Sequence, residues 1–557
     1  MKPGRDHSAV ALAAVPLLFL GAFYFYPLFE IFSVSLTSDG TWGLRNIVNV
    51  FSAGYYARVL WFTTWQAALS TLLTLVLALP AAYVFARYRF PGKSLIQSLS
   101  AIPFVLPSVV VAAAFSALLG PRGLVNEWLM AIRGLESPPI RLEHTITFIL
   151  MAHVFYNFTV VLRIVGGFWS RIDPGLVQAA QVLGASPWQS FRKITLPLLR
   201  PGIMAASLLV FIFCFSSFGV ILILGGPRFA TIEVAVYRQA MHLFNLPMAA
   251  ALSLLQICFM FVFMWVYTRL QRAASVELTP EAGRIVQRDV ATVKDRLIVW
   301  GTVSFMLVLL AAPLLALAFR SLSTEGGLSL LYYRALFQNP SQSIFYIPPV
   351  SAIGYSVGYA AVALVMSLCI ALPAALFLSR DWGRATSLLD PLFMLPLATS
   401  SVTLGFGYII ALDEPPLNLR TSLLIVPLAH TLVAYPFVVR SILPALRSIP
   451  AGLRESAVLL GAAPSQVWWK VTAPLIRMPL VVGAIFAFTV SLGEFGATIF
   501  LARPELPTMP LAIYRFLGRP GALNYGQAMA MSTILMIVTA AGFLLLERLR
   551  TGPGGEL

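Results

Sequence analysis

Long apolar runs separated by short polar stretches set the pattern of this chain. A helix needs roughly 20 mainly apolar residues to cross about 30 Å of hydrocarbon, because lipid satisfies no backbone N–H or C=O group. About twelve runs qualify. In the first half they lie near 12–34, 62–86, 97–119, 145–168, 201–224 and 247–268. In the second half they lie near 298–319, 353–378, 388–411, 421–443, 478–501 and 525–546. The pattern predicts an all-α polytopic membrane protein. Lys2 and Arg5 precede the first run as they would in a signal peptide. That run is too long for a signal h-region and lacks a small-residue cleavage site, so it reads as a first span.

Composition agrees: 59% of the 557 residues are hydrophobic and 11% charged, against about a quarter charged in soluble domains. The net charge, 38 − 22 = +16, would suit nucleic acid, but its distribution does not. With the amino terminus inside, 23 of the 38 Lys and Arg fall on the cytoplasmic side and 13 outside, with Arg163 and Arg440 inside spans. This is the positive-inside bias, and it implies that both termini are cytoplasmic. Cys214, Cys258 and Cys369 lie singly in apolar runs without metal-ligand spacing.

Shifting the sequence by 277 brings much of one half onto the other: Ala152-His153 meets Ala429-His430, Arg163 meets Arg440, and Phe218-Gly219 meets Phe495-Gly496. Upstream the offset grows. Leu106-Pro107 matches Leu395-Pro396 at 289, and Leu79-Pro80 matches Leu372-Pro373 at 293. Duplication followed by loop drift leaves this record. Six spans per half keep both halves in one direction, as parallel repeats. The halves are 1–269 and 297–557, joined by a polar linker at 270–296.

The most polar repeated stretch reads QAAQVLGASPWQSFRKITLP from Gln178 and ESAVLLGAAPSQVWWKVTAP from Glu455. The two loops occupy 174–202 and 451–479. After Pro174 or Pro450, good helix formers run to Leu183 or Leu460, and Gly184 or Gly461 breaks the helix where a C-cap is expected. A second short helix follows, from Pro187 to Lys193 or Pro464 to Lys470, and Pro197 or Pro474 is expected to stop it. The product is a helix–Gly–helix elbow between the fourth and fifth spans of each half.

These residues resemble the EAA loop of permease subunits in bacterial ABC importers: Gln178, Ala179, Ala180, Gly184, Ile194, Leu196 and Pro197, then Glu455, Ser456, Ala457, Gly461, Val471, Ala473 and Pro474. The departures are Gln178 for Glu, and Ser456, Val471 and Ala473 in the second copy. The resemblance covers essentially the whole chain. It implies the type I ABC importer transmembrane fold and seating of each elbow on a cytoplasmic ATPase. It also implies two ATPase copies, an external substrate-binding protein, and residence in the bacterial inner membrane. No Gly-x-x-x-x-Gly-Lys-Ser/Thr loop occurs in the chain. The expectation is therefore a transport subunit with no catalytic residues, no metal and no cofactor of its own, with ATP and magnesium on the partner. An ion-gradient-driven secondary transporter of twelve parallel-repeat helices is the alternative, although it gives no reason to repeat the elbow.

Fused two-half permeases of this length resemble those of thiamine importers and, next, ferric-iron importers. The stretch FCFSSFGVILILGGPRFATIEVAVYRQA from Phe213 carries the first likeness, and SLGEFGATIFLARPELPTMPLAIYRFLG from Ser491 is shared in flavour with oxyanion and iron permeases. Glu494 stands out as an acid well inside a span, matched by Ser217 in the other half. Such a charge costs a few kcal/mol to insert, which marks it as functional by default. Two roles stay open: a passage-lining carboxylate favouring a cation, or a hydrogen bond to a neighbouring helix. Phe218, Phe495, Tyr156 and Tyr435 join Ser217 as passage candidates, with ordinary packing as their other reading. His153 and His430 form a tempting metal pair, but helix packing suits them better, and ferric iron prefers oxygen ligands.

Overall fold

A computed structural model describes residues 7–38, 41–274, 287–324, 326–338, 348–380, 384–415 and 417–551. In chain order the first repeat supplies α1 (Leu12–Leu36), α2 (Gly54–Arg87), α3 (Ser108–Arg133), α4 (Ile146–Arg171), α5 (Pro174–Val182), α6 (Pro187–Phe215), α7 (Ile232–Met241) and α8 (Leu246–Leu270). The second supplies α9 (Val293–Arg320), α10 (Pro349–Leu378), α11 (Leu389–Ala398 with Ser401–Ala411), α12 (Ile425–Ser448), α13 (Ala451–Leu459), α14 (Pro464–Gly493), α15 (Met509–Leu517) and α16 (Ala522–Leu549). Eleven of the described helices are long and apolar enough to cross a bilayer. The two parts of α11 meet at 97°, and counted together as one broken span they bring the total to twelve. Residues 275–286 of the expected linker lie outside the described residues.

The chain forms two compact units, and they are not the two sequence halves. One holds residues 51–235 and 255–323; the other holds 1–50, 236–254 and 324–557. In the first, α2 packs on α4 and α6, and α9, from the second repeat, packs against α3 and α2. In the other, α10 packs on α12 and α14, α14 packs on α16, and α1, from the first repeat, lies along α10. The leading span of each repeat thus packs in the unit built mainly from the other. Hydropathy shows that α1 and α9 cross a membrane; it carries no signal for which neighbour each meets.

The third span departs from expectation in both repeats. The run expected at 97–119 is short helix over 93–105 and then α3, displaced to Ser108–Arg133. Pro107 causes this, since proline donates no N–H and pushes its predecessor, here the extended Leu106, out of the helical region. In α11, Pro396 opens a tight turn at Leu395–Ala398, and the chain bends just after it, at the extended residues Thr399 and Ser400. A break inside the hydrocarbon frees carbonyls that lipid cannot satisfy, and tyrosines supply the donors. The Tyr156 hydroxyl donates to Leu106 O at 3.0 Å. The Tyr435 hydroxyl donates to Phe393 O.

A second repeated device ties the start of each repeat's second span to its end. Thr63 Oγ1 accepts from Ile232 N at 3.1 Å, and Ser356 Oγ accepts from Met509 N at 2.7 Å. Thr63 and Ser356 are one offset apart, 293, and Ile232 and Met509 the other, 277.

Candidate functional site

The elbows share their geometry down to single hydrogen bonds. Asp173 caps α5, its carboxylate accepting from Gly175 N at 2.8 Å. The helix ends in a Schellman turn: Gly184 N donates to Gln181 O at 3.0 Å and Ala185 N to Ala180 O at 2.9 Å. In the second copy Gly461 N donates to Val458 O at 2.9 Å and Ala462 N to Ala457 O at 3.0 Å. The glycines sit at φ +89° and +83°, where a Cβ is penalised. The second helix is capped in both copies by a glutamine. Gln189 Oε1 accepts from Ser186 N at 2.9 Å, and Gln466 Oε1 accepts from Ala463 N at 3.0 Å.

The expected stop at Pro197 and Pro474 does not occur. A π-turn at Phe191–Thr195, repeated at Trp468–Thr472, carries the chain straight into α6 and α14. Leu196 N bonds Phe191 O and Ala473 N bonds Trp468 O, each five residues back. The wide turn gives each following proline a place where no N–H is called for. The second arm of the elbow and the fifth span are therefore one continuous body.

Exposure matches position by position. Gln178, Ala179, Gly184 and Pro197 are exposed and Ala180, Ile194 and Leu196 half-buried; Glu455, Ser456, Gly461 and Pro474 are exposed and Ala457, Val471 and Ala473 half-buried. The tips were not singled out by the sequence. Leu183 is 87% exposed and Leu460 89%, beside equally bare Val182 and Leu459. Single exposed aliphatics are ordinary, but paired tips repeated by the duplication mark a surface that meets something. The 277 offset, which pairs Leu183 with Leu460, was the available signal.

The candidates deeper in the spans gather around the two histidines. In one unit, His153 Nδ1 meets Ser70 Oγ at 2.9 Å and its Nε2 meets Ser217 Oγ at 2.9 Å. Asn157 Nδ2 donates to His153 O and Cys214 Sγ, and Gln66 Nε2 donates to Cys214 O at 2.9 Å. In the other unit, His430 Nδ1 meets Ser491 Oγ at 2.7 Å and Nε2 meets Thr498 Oγ1 at 2.8 Å. Each ring has a hydroxyl at both nitrogens, so each imidazole joins helices.

Glu494 begins the non-helical turn after α14. It is 7% exposed. Its Oε1 accepts from Ala497 N at 2.9 Å; its Oε2 accepts from Thr498 N at 3.0 Å and Thr498 Oγ1 at 2.7 Å, and lies 3.5 Å from His430 Nε2. The carboxylate thus folds the turn that follows it and joins that turn to α12. Ser217 holds the matching place after α6. Phe218 and Phe495 are buried beside them, Phe495 packing on Tyr514 at 5.5 Å between centroids. Tyr156 and Tyr435 are committed to the broken third spans. A further buried acid escaped the sequence reading: Glu233, 2% exposed, accepts from Gln256 Nε2 at 3.1 Å. It follows a stretch of Gly, Pro and Arg that reads as loop, which hid it.

Fold and sites together define a polytopic membrane permease of two fused repeats, each with a solvent-exposed elbow between its fourth and fifth spans. The family model of the binding-protein-dependent transport system inner membrane component matches residues 74–276 and 367–551, and the chain belongs to that family. It is a multi-pass permease of the ABC importer class, in the fused two-half form. Over 496 residues it is 27% identical to the thiamine transport system permease protein ThiP of Brucella abortus (strain 2308), covering 89% of this chain and 88% of that protein. Over 515 residues it is 25% identical to ThiP of Escherichia coli (strain K12), covering 90% of each. Over 550 residues it is 24% identical to a probable ABC transporter permease protein, y4fN, of Sinorhizobium fredii, covering 96% and 95%. A solved bacterial ABC transporter involved in the import of the acidic polysaccharide alginate aligns with a TM-score of 0.40 at 20% identity, over 49% of this chain and 97% of that chain.

Proposed function

We propose that this permease carries thiamine inward, driven by two copies of a cytoplasmic ABC ATPase docked on the elbows at 174–202 and 451–479, with an external binding protein delivering the solute. The duplicated elbow carries the docking part of the reading. Two copies of one Schellman turn present the bare pairs Val182-Leu183 and Leu459-Leu460, as two identical partner subunits would require. Because each elbow runs without interruption into α6 or α14, a push on it moves a spanning helix rather than a slack loop. The elbows then lie on the cytoplasmic face with both termini, in keeping with the charge bias. ATP and magnesium belong to the partner.

Thiamine is favoured by similarity to thiamine permeases over about nine-tenths of the chain. Ferric iron is the weaker reading, because the imidazoles of His153 and His430 already have hydroxyl partners. Glu494 and Ser217, at matching breaks after the fifth spans, are the residues we assign to the passage, with Phe218 and Phe495 beside them. Co-purification tests the docking: a P-loop ATPase retained by the parent and lost from a Leu183→Asp, Leu460→Asp double variant is expected. Retention by that variant, with normal insertion, would refute the assignment of the elbow tips.

A further inference from the structure

The carboxy-terminal part of the linker is tied to the first repeat by a chain of aromatic and ionic contacts that ends on the first elbow. Arg288-Asp289 pairs in parallel with Tyr88-Arg89. The Arg288 guanidinium lies over the Tyr88 ring, 4.8 Å from its centroid, and donates to the Tyr83 hydroxyl at 2.8 Å. The Tyr88 hydroxyl donates to Asp295 Oδ1 at 2.9 Å, and the Asp295 carboxylate caps α9 by accepting from Thr292 N. From here rings continue to the elbow. Tyr83 meets Tyr88 at 5.9 Å and Trp169 at 5.2 Å; Trp169 stacks on Phe191 at 6.3 Å, and Phe191 stacks on Trp188 at 5.7 Å. Trp188 belongs to the elbow's second arm and Phe191 to its π-turn. The other arm is held alongside: Arg87 Nη1 donates to Ile172 O at 3.1 Å, next to the Asp173 cap of α5.

The second elbow has no such ladder in its sequence. At the repeat offsets, Tyr83, Tyr88, Trp169 and Trp188 correspond to Leu376, Asp381, Leu446 and Ser465, and only Phe191 keeps an aromatic counterpart, Trp468. Aromatic pairs and cation–π contacts hold geometry as well as area, so the loss of four of the five rung residues from the second sequence marks a difference in what holds the two elbows.

We propose that Arg288 and the ring ladder Tyr88, Tyr83, Trp169, Phe191 are positioning residues for the first elbow, so that the covalent fusion of the repeats braces one of the two ATPase-docking loops with a ladder that the other does not repeat. This rests on the docking reading above. The ladder acts through the elbow and touches no solute.

The test is disulfide or bifunctional cross-linking of Leu183→Cys and, separately, Leu460→Cys to the co-purified ATPase in the full complex, with melting temperature measured alongside. Arg288→Ala and Tyr83→Leu are each expected to lower the Leu183→Cys yield about threefold, the size expected for an exposed cation–π contact or ring pair. Neither should change the Leu460→Cys yield. Tyr83→Phe, which keeps the ring, should restore most of the Leu183→Cys yield. Equal loss at both elbows, or no loss at Leu183→Cys, overturns the proposal while leaving ATPase docking intact. A parent that cross-links at neither elbow refutes the docking reading itself and this inference with it.

Discussion

Replacing Gly184 or Gly461 isolates one quantity, the cost of a left-handed residue at the elbow. Their φ angles are +89° and +83°. A Cβ added at either position meets no atom within 4 Å, so no clash enters and only backbone strain remains. An L-residue pays roughly 1–2 kcal/mol in this region, and a β-branched side chain reaches the top of the 1–3 kcal/mol range for strained residues. With about 1.4 kcal/mol per factor of ten, Gly184→Val lowers the population of the docking-competent elbow, and hence apparent ATPase affinity, by about 140-fold at most. Gly184→Ala should cost about fivefold to thirtyfold by the same conversion. Gly184→Asn should cost least, because its side chain tolerates the left-handed region. The assay is equilibrium binding of the purified ATPase to permease in nanodiscs, with melting temperature as a control that should barely move at an exposed turn. Parent-like binding by the Gly184→Val, Gly461→Val double variant would refute the reasoning. So would loss with Asn as large as with Val, since size rather than φ would then be in command.

Two further outcomes follow from hydrogen bonds and a third from a surface charge. Glu494→Gln keeps size but leaves at least one of the three donors from Ala497 and Thr498 without an acceptor; stability should fall by about 1–3 kcal/mol, and uptake of a cationic solute should fall further than stability explains. Uptake unchanged in a variant of lowered melting temperature would assign Glu494 to structure alone. Tyr435→Phe should destabilise by about 1 kcal/mol through the orphaned Phe393 carbonyl, readable as a lower melting temperature with normal ATPase binding. Glu455→Gln makes the elbows alike at that exposed position and should weaken cross-linking at the second elbow only; an equal effect at both would place the carboxylate outside the docking contact.

The parts of this protein that are local in sequence were legible in it. Span length, the helix–Gly–helix elbow and the 277-residue repeat each follow from hydropathy, cap chemistry or spacing. The Schellman turns at Gly184 and Gly461 lie where the glycines predict them. What stayed hidden depends on partners far away in the chain. The exchange of α1 and α9 is a choice between equally apolar neighbours. The π-turns before Pro197 and Pro474 answer a proline by widening the helix rather than ending it, and single-residue propensity does not weigh those alternatives. Tyr156 and Tyr435 look available as aromatic surface until the broken third spans show which carbonyls need their hydroxyls. Glu494, legible as unusual, was not legible as the acceptor for its own following turn.

The most direct test of the account is uptake of labelled thiamine by vesicles containing the purified permease, its ATPase and its external binding protein. The account predicts accumulation that needs all three components and internal or external ATP on the ATPase side, and that is indifferent to collapse of ion gradients. Accumulation by the permease alone, driven by an ion gradient and unaffected by removal of ATP, would contradict it.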